Sequence, residues 1–184
     1  MAAMQASDEA SGVLSFWRDA GPSRWFRRDE AFDAQLRERF LKAHEQAARG
    51  EFDGWLADAD SALALVILLD QFPRNAFRGT ARMYATDAKA REVARAAIDA
   101  GYDTEVDPEL RNFFYLPLMH SEALADLERC VELTRCIGGE PHRYAQHHRD
   151  IVARFGRFPH RNAILGRAST PDEERFLADG GFSG

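Results

Sequence analysis

The chain has 184 residues, 45% of them hydrophobic and 29% charged, and a formal charge of −6; that is long enough for one domain with its own core and too acidic for general binding to nucleic acid or an anionic membrane surface. The opening MAAMQASDEASG has neither a basic start nor an apolar run, so it does not read as a secretory signal. The longest apolar run, ALALVILL at 62–69, is far short of the roughly 20 residues that span a bilayer, and the expectation is a soluble, cytoplasmic protein.

The periodicity is helical almost throughout. A first helix is expected from about Ser7, a candidate N-cap, to Asp19, burying Val13, Leu14, Phe16 and Trp17 and ended by Gly21-Pro22. A second starts near Asp29, carries Phe32, Leu36, Phe40 and Ala43 at spacings of three and four, and stops at Gly50. After the FDGWL connection, Ser61 to Gln71 reads as a third helix, apolar on nearly every face and therefore central, which Pro73 should terminate. Gly79 punctuates the following loop, and a fourth helix runs from Asp87 to Ala100, closed by Gly101.

A fifth helix opens at Asp107-Pro108 and carries Phe113 and Phe114 up to Pro117. The sixth is expected from about Leu118 to Ile137, stopped by Gly138-Gly139, and the seventh from about Pro141 to Phe155. The last begins at Thr170 with Pro171, Asp172 and Glu173 in its first turn, where negative charge suits the helix dipole. About eight helices with short connections predict antiparallel pairs in one all-α domain spanning 1–184. The two cysteines, Cys130 and Cys136, are six residues apart, which in a helix suits neither a disulfide nor a metal site, and they read as reduced core thiols.

Charge distribution says more than its sum. No acid falls between Asp70 and Asp87, where Arg74, Arg78 and Arg82 stand, nor between Asp150 and Asp172, where Arg154, Arg157, Arg161 and Arg167 stand. Those windows hold +7, so the other residues hold −13. They also echo each other: Phe72-Pro73-Arg74-Asn75-Ala76 resembles Phe158-Pro159-His160-Arg161-Asn162-Ala163, with His160 as one extra residue. Proline followed by Arg-Asn suits a helix end turning into a short new helix.

Leu63, Val66, Ile67 and Asp70 share one stripe, so Asp70 ends a buried face and needs a cation. His120 lies on a stripe with Leu124, Leu127 and Val131, with Glu122 pointing elsewhere. His148 lies with Tyr144, Ile151 and Phe155, and should be inward, while its neighbour His147 faces the wetter side. No His pair at metal-ligand spacing, no glycine-rich phosphate loop and no nucleophile elbow is present, so no metal or cofactor is expected. What stands out is a cationic set of Arg74, Arg78, Arg157, His160 and Arg161 with Asn75 and Asn162 as neutral donors, matched to phosphate or carboxylate oxygens.

The segments LLDQFPRNAFRGTARMYATD, YLPLMHSEALAD, HRDIVARFGRFPHRNAILGRASTPDE and, near the start, LSFWRDAGPSRWFRRDEAFDAQLRERF resemble a mainly bacterial family catalogued as a conserved domain of unknown function, number nine hundred and twenty-four. The resemblance implies an all-helical, tetratricopeptide-like fold and singles out Asp70, Gln71, Arg74, Asn75, His120, Ser121, Glu122, His148, Gly156 to Asn162, Gly166 and Arg167; it implies no activity. Three readings stay open. In the first, a small anion is held by Arg74, Asn75, Arg78, His148, Arg157, His160, Arg161 and Asn162, with His120 or Asp70 as the acid-base group if chemistry occurs. In the second, an interaction module receives an acidic peptide. In the third, the signature is an internal clamp that only joins helices.

Overall fold

The computed structural model describes the backbone of residues 2–184 and the side chains of residues 8–184. Among the described residues there is no strand, so the expected all-α class holds. No described helix is long and apolar enough to cross a membrane. Packing divides the chain into two compact units: Met1–Arg78 with Arg82–Pro117, and Gly79–Ala81 with Leu118–Gly184.

The first unit is organised by one apolar rod. Helix α1 (Ala2–Ala20) begins earlier than Ser7 and buries Val13, Leu14 and Trp17 as expected. Gly21, at φ 68, ends it and leads into α2 (Pro22–Trp25), where Pro22 supplies a pre-set φ in the first turn. Helix α3 (Glu30–Ala48) starts where Asp29 accepts hydrogen bonds from the N–H groups of Ala31 and Phe32, and it buries Phe32, Leu36, Phe40 and Ala43. The FDGWL link coils into a 3-10 turn on which Phe52 and Trp55 stack at 4.3 Å. Helix α4 (Ala59–Val66) is capped by the Asp58 side chain and is buried from Ala62 onward on every face. Both α1 and α6 (Asp87–Asp99) pack against it.

Pro73 does not terminate this rod. The chain continues through a π-type turn, Ile67–Gln71, directly into α5 (Phe72–Ala76). The wider turn lets the Phe72 N–H reach the carbonyl of Ile67, five residues back, while Pro73, which has no N–H to place, sits in the first turn of α5. Proline's missing donor is thus absorbed by one loosened turn, and Asp70 lies inside that turn with no exposed surface.

Helix α7 (Asn112–Met119) contains Pro117 and closes at Met119. The long helix expected from Leu118 to Ile137 is therefore two pieces: α8 is Leu124–Thr134, and His120 to Ala123 form the corner between them. Ser121 makes that corner, its hydroxyl donating to Asp126 at 2.6 Å and accepting from the Ala123 N–H at 3.1 Å, a local alternative to continuing the helix. His120 accordingly lies off the α8 stripe; Leu127 and Val131 of that stripe are buried, and Leu124 is 40% exposed.

In the second unit α8 packs on α9 (Gly139–Phe155), closed by Gly156 at φ 72. Leu127, Ile151, Val152 and Phe158 form its core, with Phe155, Phe176 and Phe182 against them. Of the α9 stripe His148 and Ile151 are buried, whereas Tyr144, expected inward, is 47% exposed. Cys130 is buried, and burial pushes its thiol up to about 12; Cys136, expected in the core, is exposed.

Helix α10 (Pro171–Ala178) opens with a complete capping box: the Thr170 hydroxyl accepts from the Glu173 N–H, and the Glu173 carboxylate accepts from the Thr170 N–H. Thr170→Ala should cost about 1 kcal/mol, read as a fall in Tm of roughly 2–4 °C for a chain of this size.

Candidate functional site

Both echoing segments are built around a carboxylate, and the same chemistry recurs in each. In the first unit the Asn75 side-chain amide donates to Asp33 at 2.8 Å, and Arg78 donates to the same carboxylate at 2.7 Å. In the second unit Asn162 donates to Glu173 at 3.2 Å, and Arg157 donates to both oxygens of Glu173 at 2.7 and 2.8 Å. Phe72 and Phe158 are fully buried at the start of their segments, and Asn75 and Asn162 are buried beside them. The extra residue has a visible consequence. Phe72–Ala76 is α-helical, whereas Pro159–Arg161 is a 3-10 turn in which His160 is the inserted side chain.

Arg74 sits between two acids. Its Nη1 lies 3.1 Å from Asp70 and 2.9 Å from Asp87, its Nη2 donates to the second Asp87 oxygen at 3.1 Å, and Nη1 also donates to the Asp70 carbonyl. Burial opposes the charge on this guanidinium, but the Asp70 and Asp87 carboxylates outweigh it and raise its pKa. Gln71 donates to Asp70 at 2.6 Å. Asp70 thus has the cation that its buried stripe called for.

In the second unit Glu122 points toward the Phe158 backbone and Arg167. It accepts the Phe158 N–H at 2.8 Å and both Arg167 Nη groups at 2.7 and 2.9 Å, and Arg167 Nε donates to Asn162. Burial pushes Glu122 upward, but Arg167 and the Phe158 amide hold it below its ordinary value. The Arg157 hydrogen bond, with the Thr170 amide, holds Glu173 down at about 2.

The remaining groups of this unit are imidazoles and one guanidinium. Arg161, 7% exposed, donates to the His120 carbonyl at 2.9 Å, and its guanidinium carbon stands 4.7 Å from the Phe158 ring centre. The His148 Nδ1 is 2.8 Å from the Tyr144 carbonyl; a carbonyl only accepts, so the neutral ring carries its proton on Nδ1 and its lone pair on Nε2. Phe158 packs edge-on against His148 at 5.5 Å and tilted against His160 at 5.7 Å. The His160 Nδ1 is buried and has no hydrogen-bond partner among the described residues. Burial first, then the fields of His120, His147 and His160, lower His148 to about 3. Burial, then Arg161, His120 and Arg167 against the opposing Glu122, lower His160 to about 4.

The expected site residues thus fall into sets. Asp70, Arg74, Asn75 and Arg78 lie in the first unit, with Asp33 and Asp87 as acids; His120, His148, Arg157, His160, Arg161 and Asn162 lie in the second, with Glu122 and Glu173. Sequence reasoning did not single out Asp33. Its signal was available, because Asp33, Leu36 and Phe40 follow the same three-and-four spacing that marked Asp70. Among the described residues no group of three His, Cys, Asp or Glu side chains has metal-holding geometry.

These features define an all-helical protein whose Phe-Pro segments are tied down by buried carboxylate and asparagine groups and by the arginines that pair with them. The chain belongs to the family described as bacterial protein of unknown function (DUF924), whose sequence profile matches residues 13–181. It is similar to a solved structure of a protein of unknown function from Agrobacterium tumefaciens, at 53% identity over 95% of this chain and 99% of that one, with a TM-score of 0.93. No curated protein matches the chain.

Proposed function

We propose that the second unit binds a small anion bearing phosphate or carboxylate groups at His120, His148, His160 and Arg161. The observation that carries this reading is the buried His160 Nδ1, which has no hydrogen-bond partner among the described residues, in a group where the titratable neighbours acting on His148 are other imidazoles. A buried polar atom without a partner calls for a ligand or an ordered water. Arg161 supplies the fixed positive charge. His148 and His160 supply a variable one: burial keeps them neutral while no anion is bound, and an arriving anion favours their protonated, donating form. Binding on this reading is coupled to proton uptake, and the His148 Nε2 lone pair or His120 is the group that would accept or return a proton if a reaction follows.

The other expected site residues take a different role in this proposal. Asp70 is engaged with Arg74 and Gln71, and Arg74, Asn75, Arg78, Arg157 and Asn162 with carboxylates; these groups serve as clamps that hold the helix ends. Acid-base work therefore passes to the histidines rather than to Asp70.

The test is thermal unfolding at pH 6.5 with inorganic phosphate, small di- and tricarboxylates and an acidic peptide. An anion at about 100 times its Kd should add near 2.7 kcal/mol, a rise of roughly 5–10 °C. Arg161→Ala and His160→Asn should abolish the rise, and Arg161→Lys should keep part of it. A rise with the peptide alone would favour a tetratricopeptide-like interaction module, and no rise with any probe would defeat the proposal.

A further inference from the structure

We infer that residues 180–184 are a strap folded over the histidine cluster, which must lift before an anion can enter. What the strap guards rests on the anion-site reading; its geometry does not. After α10 the chain reverses through two glycines. Gly180 has φ +80, in the left-handed region, and the Gly181 N–H donates to the Phe176 carbonyl at 2.9 Å, which ties off the helix end. A Cβ on Gly181 would stand 2.4 Å from the Phe176 carbonyl oxygen and 2.7 Å from its ring, so the reversal admits no side chain there.

The reversal delivers Phe182 onto the imidazoles. Its ring centre lies 4.6 Å from that of His148, 5.0 Å from His160 and 5.8 Å from His147, each in an edge-on arrangement. Two residues further on, a Cβ built on Gly184 would lie 3.3 Å from the His160 Cδ2. Phe182 is only half-buried, and Ser183 and Gly184 are exposed. Segments held by few buried contacts open at much lower cost than the core. The strap therefore shields His148 and His160 from water while remaining the most easily lifted wall of the site.

The experiment uses the full chain with Phe182→Ala, and Phe182→Leu as the conservative partner. The carbethoxylation rates of His148 and His160 by diethyl pyrocarbonate are followed residue by residue by mass spectrometry, with the association rate of inorganic phosphate measured alongside. Loss of the ring should speed modification of both histidines about tenfold, as expected for removing a protecting closed state, and leucine should restore most of the protection. Gly181→Ala, which forces the reversal apart at Phe176, should act in the same direction. Unchanged rates in Phe182→Ala would overturn the strap, whether or not phosphate binds. Faster modification with no phosphate binding to either protein would uphold the strap and remove the anion-site reading instead.

Discussion

Arg74→Met is expected to lower the unfolding free energy by about 3–5 kcal/mol at pH 7, a fall in Tm of roughly 6–20 °C. One guanidinium lies within 3.1 Å of two carboxylates, Asp70 with no exposed surface and Asp87 nearly as buried. Removing it leaves two like charges close together in a poorly solvated place, and their desolvation cost is then no longer offset by the shared cation. Methionine fills similar volume, so the loss reports charge rather than a cavity. Arg74→Lys keeps the charge but loses the fork that reaches Asp70 and both Asp87 oxygens, and should fall between the two. A variant within about 1 kcal/mol of the parent at pH 7 would show that the pair is solvated, contrary to the packing.

The second large effect is acid destabilisation in two overlapping windows. His148 and His160 are held at about 3 and about 4 in the folded protein, while the unfolded chain takes up a proton at each near 6.5. Between those limits the unfolded state binds more protons, so stability falls as the pH drops from about 6.5 toward 4 and then 3, with a combined loss of a few kcal/mol. Glu173, held at about 2, contributes stability that is complete above its ordinary value near 4.5 and is lost as the pH falls toward 2. Urea unfolding across this range should therefore show one continuous descent, its upper part due to the imidazoles and its lower part joined by Glu173. His148→Gln, which keeps a donor for the Tyr144 carbonyl but does not titrate, should reduce the slope of the upper part; Glu173→Gln should reduce that of the lower part, from a lower starting stability.

Local chemistry made much of this fold readable. The helix starts near Asp29 and Thr170, Gly50 and Gly101 as stops, and the three-and-four spacing of Phe32, Leu36, Phe40 and Ala43 each act within one or two turns, and each is found where the sequence puts it. Helix α7 opens at Asn112 rather than at Asp107-Pro108, and at two other misread junctions a local signal meets a rescue by backbone geometry. At Pro73 the π-type turn absorbs the missing donor, and at Ser121 a hydroxyl breaks a helix that hydrophobic spacing alone would continue. The burial of Asp70 was legible because a carboxylate on an apolar stripe must find a cation. Its sharing of Arg74 with Asp87 was not, and neither were the pairings of Arg78 with Asp33 and of Arg167 with Glu122, each 45 residues apart. Spacing within a helix carries no information about such distant partners. The strap at Phe182 was hidden for the same reason: a lone aromatic after two glycines has no periodicity to read.

On the anion-site reading His148 and His160 are neutral in the free protein and take up protons when an anion arrives. Isothermal calorimetry of phosphate binding at pH 6.5, repeated in buffers of different ionisation enthalpy, tests it most directly, because the slope of heat against buffer enthalpy counts protons taken up. The expected result is net uptake, beyond that due to phosphate's own ionisation, which is lost in a variant carrying both His148→Gln and His160→Asn. Binding with no proton uptake beyond that of phosphate itself, or uptake unchanged in the double variant, would contradict it.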